Sequence, residues 1–218
     1  MPDFASLRKT MVDTQLRTNK IIDERILAAM ADVPREDFVP ADRRDLAYID
    51  EDITIGAGRY LLEPMVFARL VQMAGIRPGD VVLDIASGTG YSSAILGRLA
   101  RAVVAVESDT GLAEIAAAAL SAAGQDNVVL EEGPIQRGWA PQAPYDVILF
   151  NGAIDYVPEA IVEQLADGGR LCAVMRRGSG QGTAELTIKS RGIVSGRAVF
   201  DANTPKLREF ELEKGFVF

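Results

Sequence analysis

Histidine is absent from this 218-residue chain, and cysteine occurs once, at Cys172. Without histidine there is no Ser-His-Asp or Cys-His catalysis and no histidine-bound zinc. One cysteine can neither close an intrachain disulfide nor build a thiolate metal site, so a secreted disulfide scaffold is excluded and no metal is expected. Cys172 lies in the apolar run Leu171-Cys172-Ala173-Val174-Met175. It reads as a core residue, because a reactive thiolate needs a polar, accessible setting. Cationic surplus is also missing: 23 Lys and Arg stand against 31 Asp and Glu, a net charge of −8. Nucleic-acid affinity comes largely from cations laid along phosphates, so no nucleic-acid partner is expected. No hydrophobic run approaches the ~20 residues that cross a bilayer, and the N-terminus lacks a signal-peptide core. The expected location is the cytoplasm, away from the membrane. What remains is an ordinary globular composition, 48% hydrophobic and 25% charged, which argues against disorder.

Along the chain the hydrophobic period changes twice. Residues 1–75 read as mostly helical. Asp23 is a good N-cap for Ile26, Leu27, Met30 and Val33 at helical spacing. Ile53-Thr54-Ile55 suits a short strand before the Gly56-Ala57-Gly58 turn, and Pro64 can open a helix that Gly75 closes. From Gly79 short apolar runs alternate with helical stretches. Strands are expected at 81–85, 102–106, 128–130, 145–150 and 171–175, with helices at 90–99, 111–123 and 161–165. Runs that are apolar on both faces suit a covered parallel sheet. The expected fold is therefore α/β, Rossmann-like and doubly wound, with a mostly parallel sheet and helices on both faces. Residues 1–75 form an N-terminal helical extension and 76–178 the cofactor-binding core. Residues 179–218 should add antiparallel strands at the sheet edge, from the alternation in Glu185–Lys189 and Phe210–Glu213. With no repeat and no linker composition, 1–218 reads as one domain.

The chemistry is concentrated in Asp84-Ile85-Ala86-Ser87-Gly88-Thr89-Gly90-Tyr91. This segment joins an expected strand to an expected helix, where small residues let a ligand approach backbone N–H groups at a helix start. The dinucleotide spacing Gly-x-Gly-x-x-Gly is not met. Small residues instead fall at Ala86, Gly88 and Gly90 behind an acid, the form used by class I methyltransferases, whose ligand has no pyrophosphate. Asp84 suits the methionine end of such a ligand. Glu107, followed by Ser108, ends the next strand 23 residues later, where a carboxylate can accept both ribose hydroxyl protons.

The flanking sequence carries a more specific resemblance. Gln15-Leu16-Arg17, Ile22–Met30 and Val33-Pro34-Arg35-Glu36-Asp37-Phe38-Val39-Pro40 are followed by Ala47–Asp50, Ile55–Gly58 and Pro64. Val82–Leu96, Asn127-Val128, Gly138-Trp139, Tyr145-Asp146 and Gln164–Gly169 continue the match. Over about residues 11–178 the chain resembles the protein-L-isoaspartate O-methyltransferases. The resemblance implies binding of S-adenosyl-L-methionine, release of S-adenosyl-L-homocysteine, and esterification of isoaspartyl carboxylates in damaged proteins or peptides. It leaves the oligomeric state open.

Departures from the family pattern fall in the site. Gly58-Arg59-Tyr60-Leu61-Leu62-Glu63-Pro64 stands where the family has Gly-Gln-Thr-Ile-Ser-x-Pro, so Leu62 occupies the place of its substrate-orienting catalytic serine. Leucine cannot donate a hydrogen bond. Arg59 and Tyr60 are the new polar groups of that loop, and Arg59 could pair with an acceptor carboxylate through its fork. Gly133-Pro134-Ile135 replaces the family's Gly-Asp-Gly beside the adenine, Ala86 replaces the first motif glycine, and Asn151 replaces a threonine. Positioning can supply roughly 7–11 kcal/mol in such a displacement. One lost orienting bond removes about 2–4 kcal/mol. Three readings stay open: an isoaspartyl methyltransferase, a methyltransferase for another acceptor, and a cofactor-impaired homologue with a binding role.

Overall fold

The computed structural model describes residues 2–178 and 180–212. The N-terminal part begins with α1 (Phe4–Met11), capped by Asp3, which accepts from the Ser6 amide at 3.1 Å. Helix α2 (Glu24–Asp32) starts where expected, with the Asp23 carboxylate accepting from the Arg25 amide at 2.9 Å. Ile26, Leu27, Met30 and Val33 are all buried, which is what their spacing on one helical face demands. A hairpin follows. Strand β1 (Ile53–Gly56) pairs antiparallel with β2 (Arg59–Leu61) across the Gly56-Ala57-Gly58 turn. Helix α3 (Pro64–Ala74) has proline at its first position and ends at Gly75 in the left-handed conformation.

The core is a seven-stranded sheet. Its strands are β3 (Val81–Ile85), β4 (Ala102–Glu107), β5 (Val128–Glu132), β6 (Tyr145–Ile154), β7 (Leu165–Met175), β8 (Thr183–Ser190) and β9 (Ile193–Asp201). They lie in the order β5-β4-β3-β6-β7-β8-β9; the first five are parallel and the last two antiparallel. The crossover helices are α4 (Tyr91–Leu99), α5 (Thr110–Ala122) and the short α6 (Glu159–Glu163). Alternate strand residues feed two cores. Val82, Val103, Val147 and Leu149 pack with α2, α3 and α4 on one face. Leu83, Val104, Ile148 and Phe150 pack with Ile135, Ile161 and Phe210 on the other. Among the described residues no helix is long and apolar enough to cross a membrane.

The C-terminal expectation needs correction. Phe210 and Leu212 do not lie in a strand: residues 208–210 form a 3-10 turn, and Glu213, like Ser179 of the expected loop, lies outside the described residues. The alternation of this segment has another cause. Phe210 is fully buried edge-on against Phe150, with ring centroids 5.3 Å apart, while Glu209 faces Arg59. The strand that pairs with β8 is β9, an edge strand exposed at every position except Phe200. It carries no two-residue period because neither face is deeply covered.

Candidate active site

The parallel strand order reverses direction at β3, which has β4 on one side and β6 on the other. In such sheets a crevice opens beyond the carboxyl ends of the strands at that reversal. Asp84 of β3, Glu107 at the end of β4 and Asn151 of β6 all reach it. The connecting loop is held in unusual backbone conformations, with Ala86, Gly88 and Gly90 at φ +58°, +56° and +93°. Ala86 is the residue strained by this, since left-handed backbone costs an L side chain roughly 1–2 kcal/mol. Gly90 has a φ that L side chains rarely adopt, and a Cβ there would also press on Ala116 and Leu120 of α5 at 3.3 Å.

Asp84 is fully buried. Its Oδ2 accepts from the hydroxyls of Ser92 (2.7 Å) and Ser93 (2.6 Å) in the first turn of α4, and its Oδ1 accepts from Asn151 Nδ2 (2.7 Å). Burial pushes its carboxyl up to about 6 against the pull of these three donors. Ser92 and Ser93 were not among the expected site residues, although their place just after the glycine loop put them within reach of the preceding strand.

Glu107 is fully buried and its lone pairs are spent inside the chain. Oε1 accepts from the amides of Ser108 (2.7 Å) and Asp109 (3.1 Å), and Oε2 from the amide of Gly88 (2.9 Å). Both oxygens also accept from Arg59 Nε at 3.1 Å. Arg59 Nη2 donates to Ser108 Oγ (2.8 Å) and Glu209 Oε1 (2.7 Å), and Nη1 to Glu209 Oε2 (3.3 Å). Burial works against the Arg59 charge, but Glu209 and Glu107 outweigh it and hold the guanidinium firmly protonated. For Glu209 the cost of burial is overcome by Arg59, which holds its carboxyl below the usual range. Arg59 thus pairs with carboxylates as its fork suggested, but with the chain's own rather than an acceptor's. Glu209 was invisible in the sequence: it lies 150 residues from Arg59, in a turn with no motif.

The other expected residues are distributed differently. Leu62 is buried in the core, and Tyr60 is half-buried beside it. Pro134 is exposed; Gly133 donates its amide to the Glu107 carbonyl at 2.9 Å, and Ile135 is sunk in the second core. Among the described residues, the β1–β2 hairpin lays Ile55 and Arg59 against the loop between Asp84 and Glu107. Ile55 Cδ1 lies where a Cβ on Gly88 would be, 2.5 Å from that position. The space left among Arg35, Ile55, Tyr60, Leu62, Ser87 and Tyr91 is a cavity of about 10 Å³. Arg35 Nη1, Ser87 Oγ and Tyr91 OH, residues of that lining, have no hydrogen-bond partner among the described residues. Such a volume is at the lower limit for one water molecule. The carboxylates are of the right type at the right strand ends for an adenosyl cofactor, whose ribose would reach Glu107 once Arg59 moves off it.

Three raised carboxyls, Glu63, Asp84 and the half-buried Asp52, make a prediction about pH. Glu63, between β2 and α3, is pushed up to about 7 by burial and by the charges of Asp50 and Asp52; Asp84 is pushed up to about 6. The folded chain therefore binds more protons than the unfolded chain between the ordinary carboxylate range and pH 7, so stability falls as pH rises through that window. Groups held low, such as Asp23 and Asp155, contribute their opposite slope only at more acid pH. Urea midpoints are expected to decline from pH 5 to pH 8, and Glu63→Gln to decline less. An equal slope in the variant would show that Glu63 ionises normally.

The comparisons with known proteins agree on a relationship. The family model for protein-L-isoaspartate(D-aspartate) O-methyltransferase matches residues 6–201. Protein-L-isoaspartate O-methyltransferase 1 of Rhodopseudomonas palustris (strain HaA2) is 40% identical over 188 residues, 86% of this chain and 76% of that one. The Koribacter versatilis (strain Ellin345) protein-L-isoaspartate O-methyltransferase is 44% identical over 168 residues, 77% of this chain and 76% of its own. A solved protein-L-isoaspartate O-methyltransferase superposes with a TM-score of 0.83 at 26% identity, covering 94% of this chain and 67% of that one. A Plasmodium falciparum structure described as a complex with S-adenosyl-L-homocysteine shares the fold, with a TM-score of 0.77 at 19% identity over 96% of this chain and all of that one. With the family model matching residues 6–201 and the first two relatives aligned over 77–86% of its length, the chain belongs to the protein-L-isoaspartate O-methyltransferase family, a family of S-adenosylmethionine-dependent methyltransferases.

Proposed function

We propose that the chain methylates the side-chain carboxylate of L-isoaspartyl residues in damaged proteins, with S-adenosylmethionine as donor. The observation that carries this reading is the pair Asp84 and Glu107, buried at the carboxyl ends of neighbouring strands where the sheet order reverses. The acceptor suits a chain without histidine. A carboxylate with a reference pKa near ~4 is ionised at neutral pH, so it needs no general base. The single cysteine is buried and its thiol pushed up to about 12, which leaves it inert and suits a reducing cytoplasm. The test is incubation of the full chain with methyl-labelled S-adenosylmethionine and an isoaspartyl peptide. A base-labile ester that releases labelled methanol is expected, with none from the aspartyl isomer. No ester above the blank would remove the reading.

One observation favours a second reading, a non-catalytic member: every polar bond Glu107 could offer a ribose is already made within the chain. Calorimetry with S-adenosylhomocysteine separates the two readings before any acceptor is chosen.

A further inference from the structure

We propose that Arg59 is the residue that sets cofactor affinity, because its guanidinium holds the ribose position of the crevice and must be off Glu107 for the adenosyl group to take its place. This rests on the methyltransferase reading above and adds a determinant to it. A carboxylate has about four lone-pair sites. Glu107 already accepts three backbone amides and the Arg59 Nε–H, which bridges both oxygens at 3.1 Å. The amides belong to the glycine loop and to the start of α5, and they fix the carboxylate in place. Arg59 is the one partner that belongs to a separate element, the β1–β2 hairpin. A ribose diol can therefore reach Glu107 by displacing Arg59, with the rest of the cradle intact.

Glu209 is the second anchor of that position. It grips the same guanidinium with two bonds from the far side, at 2.7 and 3.3 Å, from a turn that follows β9. Its side chain is 26% exposed, against 4% for Arg59 and 0% for Glu107. The arginine therefore bridges a deep carboxylate and a shallow one, and ties the hairpin to the C-terminal segment across the crevice. The hairpin brings Ile55 with it over Gly88. Apparent affinity scales with the fraction of molecules in which Arg59 is off Glu107, so a firm grip lowers it. A neutral side chain at 209 loosens the grip without touching the cradle.

The test is isothermal titration calorimetry of S-adenosylhomocysteine on the full chain, comparing wild type, Glu209→Gln and Arg59→Gln. The closed crevice predicts a dissociation constant about tenfold lower for Glu209→Gln than for wild type, and at least that for Arg59→Gln. In wild-type protein, the Arg59 Nε–H resonance should shift when S-adenosylhomocysteine is added, a readout that needs no variant to fold. Equal or weaker binding in both variants overturns the proposal, as does absence of binding in all three proteins. Tighter binding in the variants without any isoaspartyl ester leaves the Arg59 assignment standing and removes the acceptor reading. Ester formation by a wild type whose affinity neither variant improves does the reverse.

Discussion

Glu107→Ala is expected to lower the melting temperature by roughly 10 °C, and Arg59→Ala by far less, although the two residues form one ion pair. The asymmetry follows from what each leaves behind. Removing Glu107 strands the amides of Gly88, Ser108 and Asp109 and leaves a buried guanidinium with only Glu209 and Ser108. Breaking a buried pair from one side typically costs about 3–5 kcal/mol. For a chain of this size each kcal/mol moves the midpoint by about 2–4 °C. Removing Arg59 leaves the buried Glu107 still satisfied by three amide donors, and leaves the partly exposed Glu209 free to turn to water. That loss should be near 1–2 kcal/mol. Thermal melts by circular dichroism compare the two directly. If Arg59→Ala proves the more damaging, the arginine is a pillar of the fold and the cradle does not stabilise Glu107 unaided.

Leu62→Ser is the second large effect. It restores the family's serine in name, yet it is expected to cost about 3 kcal/mol and to bring no gain in methyl transfer. Leu62 is 4% exposed within the main core, and its carbonyl accepts from Arg35 Nη2 at 2.6 Å. Truncating a buried leucine removes apolar contacts and leaves a void, typically about 2–5 kcal/mol. Some of this can be offset, because Arg35 Nη1, Ser87 Oγ and Tyr91 OH, in the lining of the neighbouring cavity, have no partner among the described residues. One neutral hydrogen bond returns about 1 kcal/mol. Urea unfolding measures the balance. A loss below about 1 kcal/mol, or a clear rise in ester formation, would mean that position 62 still addresses the acceptor.

The legibility of this protein differed from segment to segment. Strands β3, β4 and β6 were readable because both faces are covered and their residues are apolar without interruption. Helix α2 was readable because Asp23 caps it and its apolar residues keep a helical period. The tail was misread for a physical reason: Phe210 and Leu212 imitate a strand, but the first is an anchor against Phe150 and the segment between them turns. Edge strand β9 was missed because exposure on both faces erases the pattern that betrays a strand.

The amino-acid sequence alone determined the α/β class, the family, and the two acids at the ends of neighbouring strands, because these depend on local periodicity and on short-range spacing within one strand-turn-helix unit. Only the tertiary structure decided what those acids touch. The grip of Arg59 on Glu107 spans 48 residues and that of Glu209 on Arg59 spans 150. Such pairings are set by how the hairpin and the C-terminal turn dock over the sheet, a long-range arrangement that no local pattern of residues encodes.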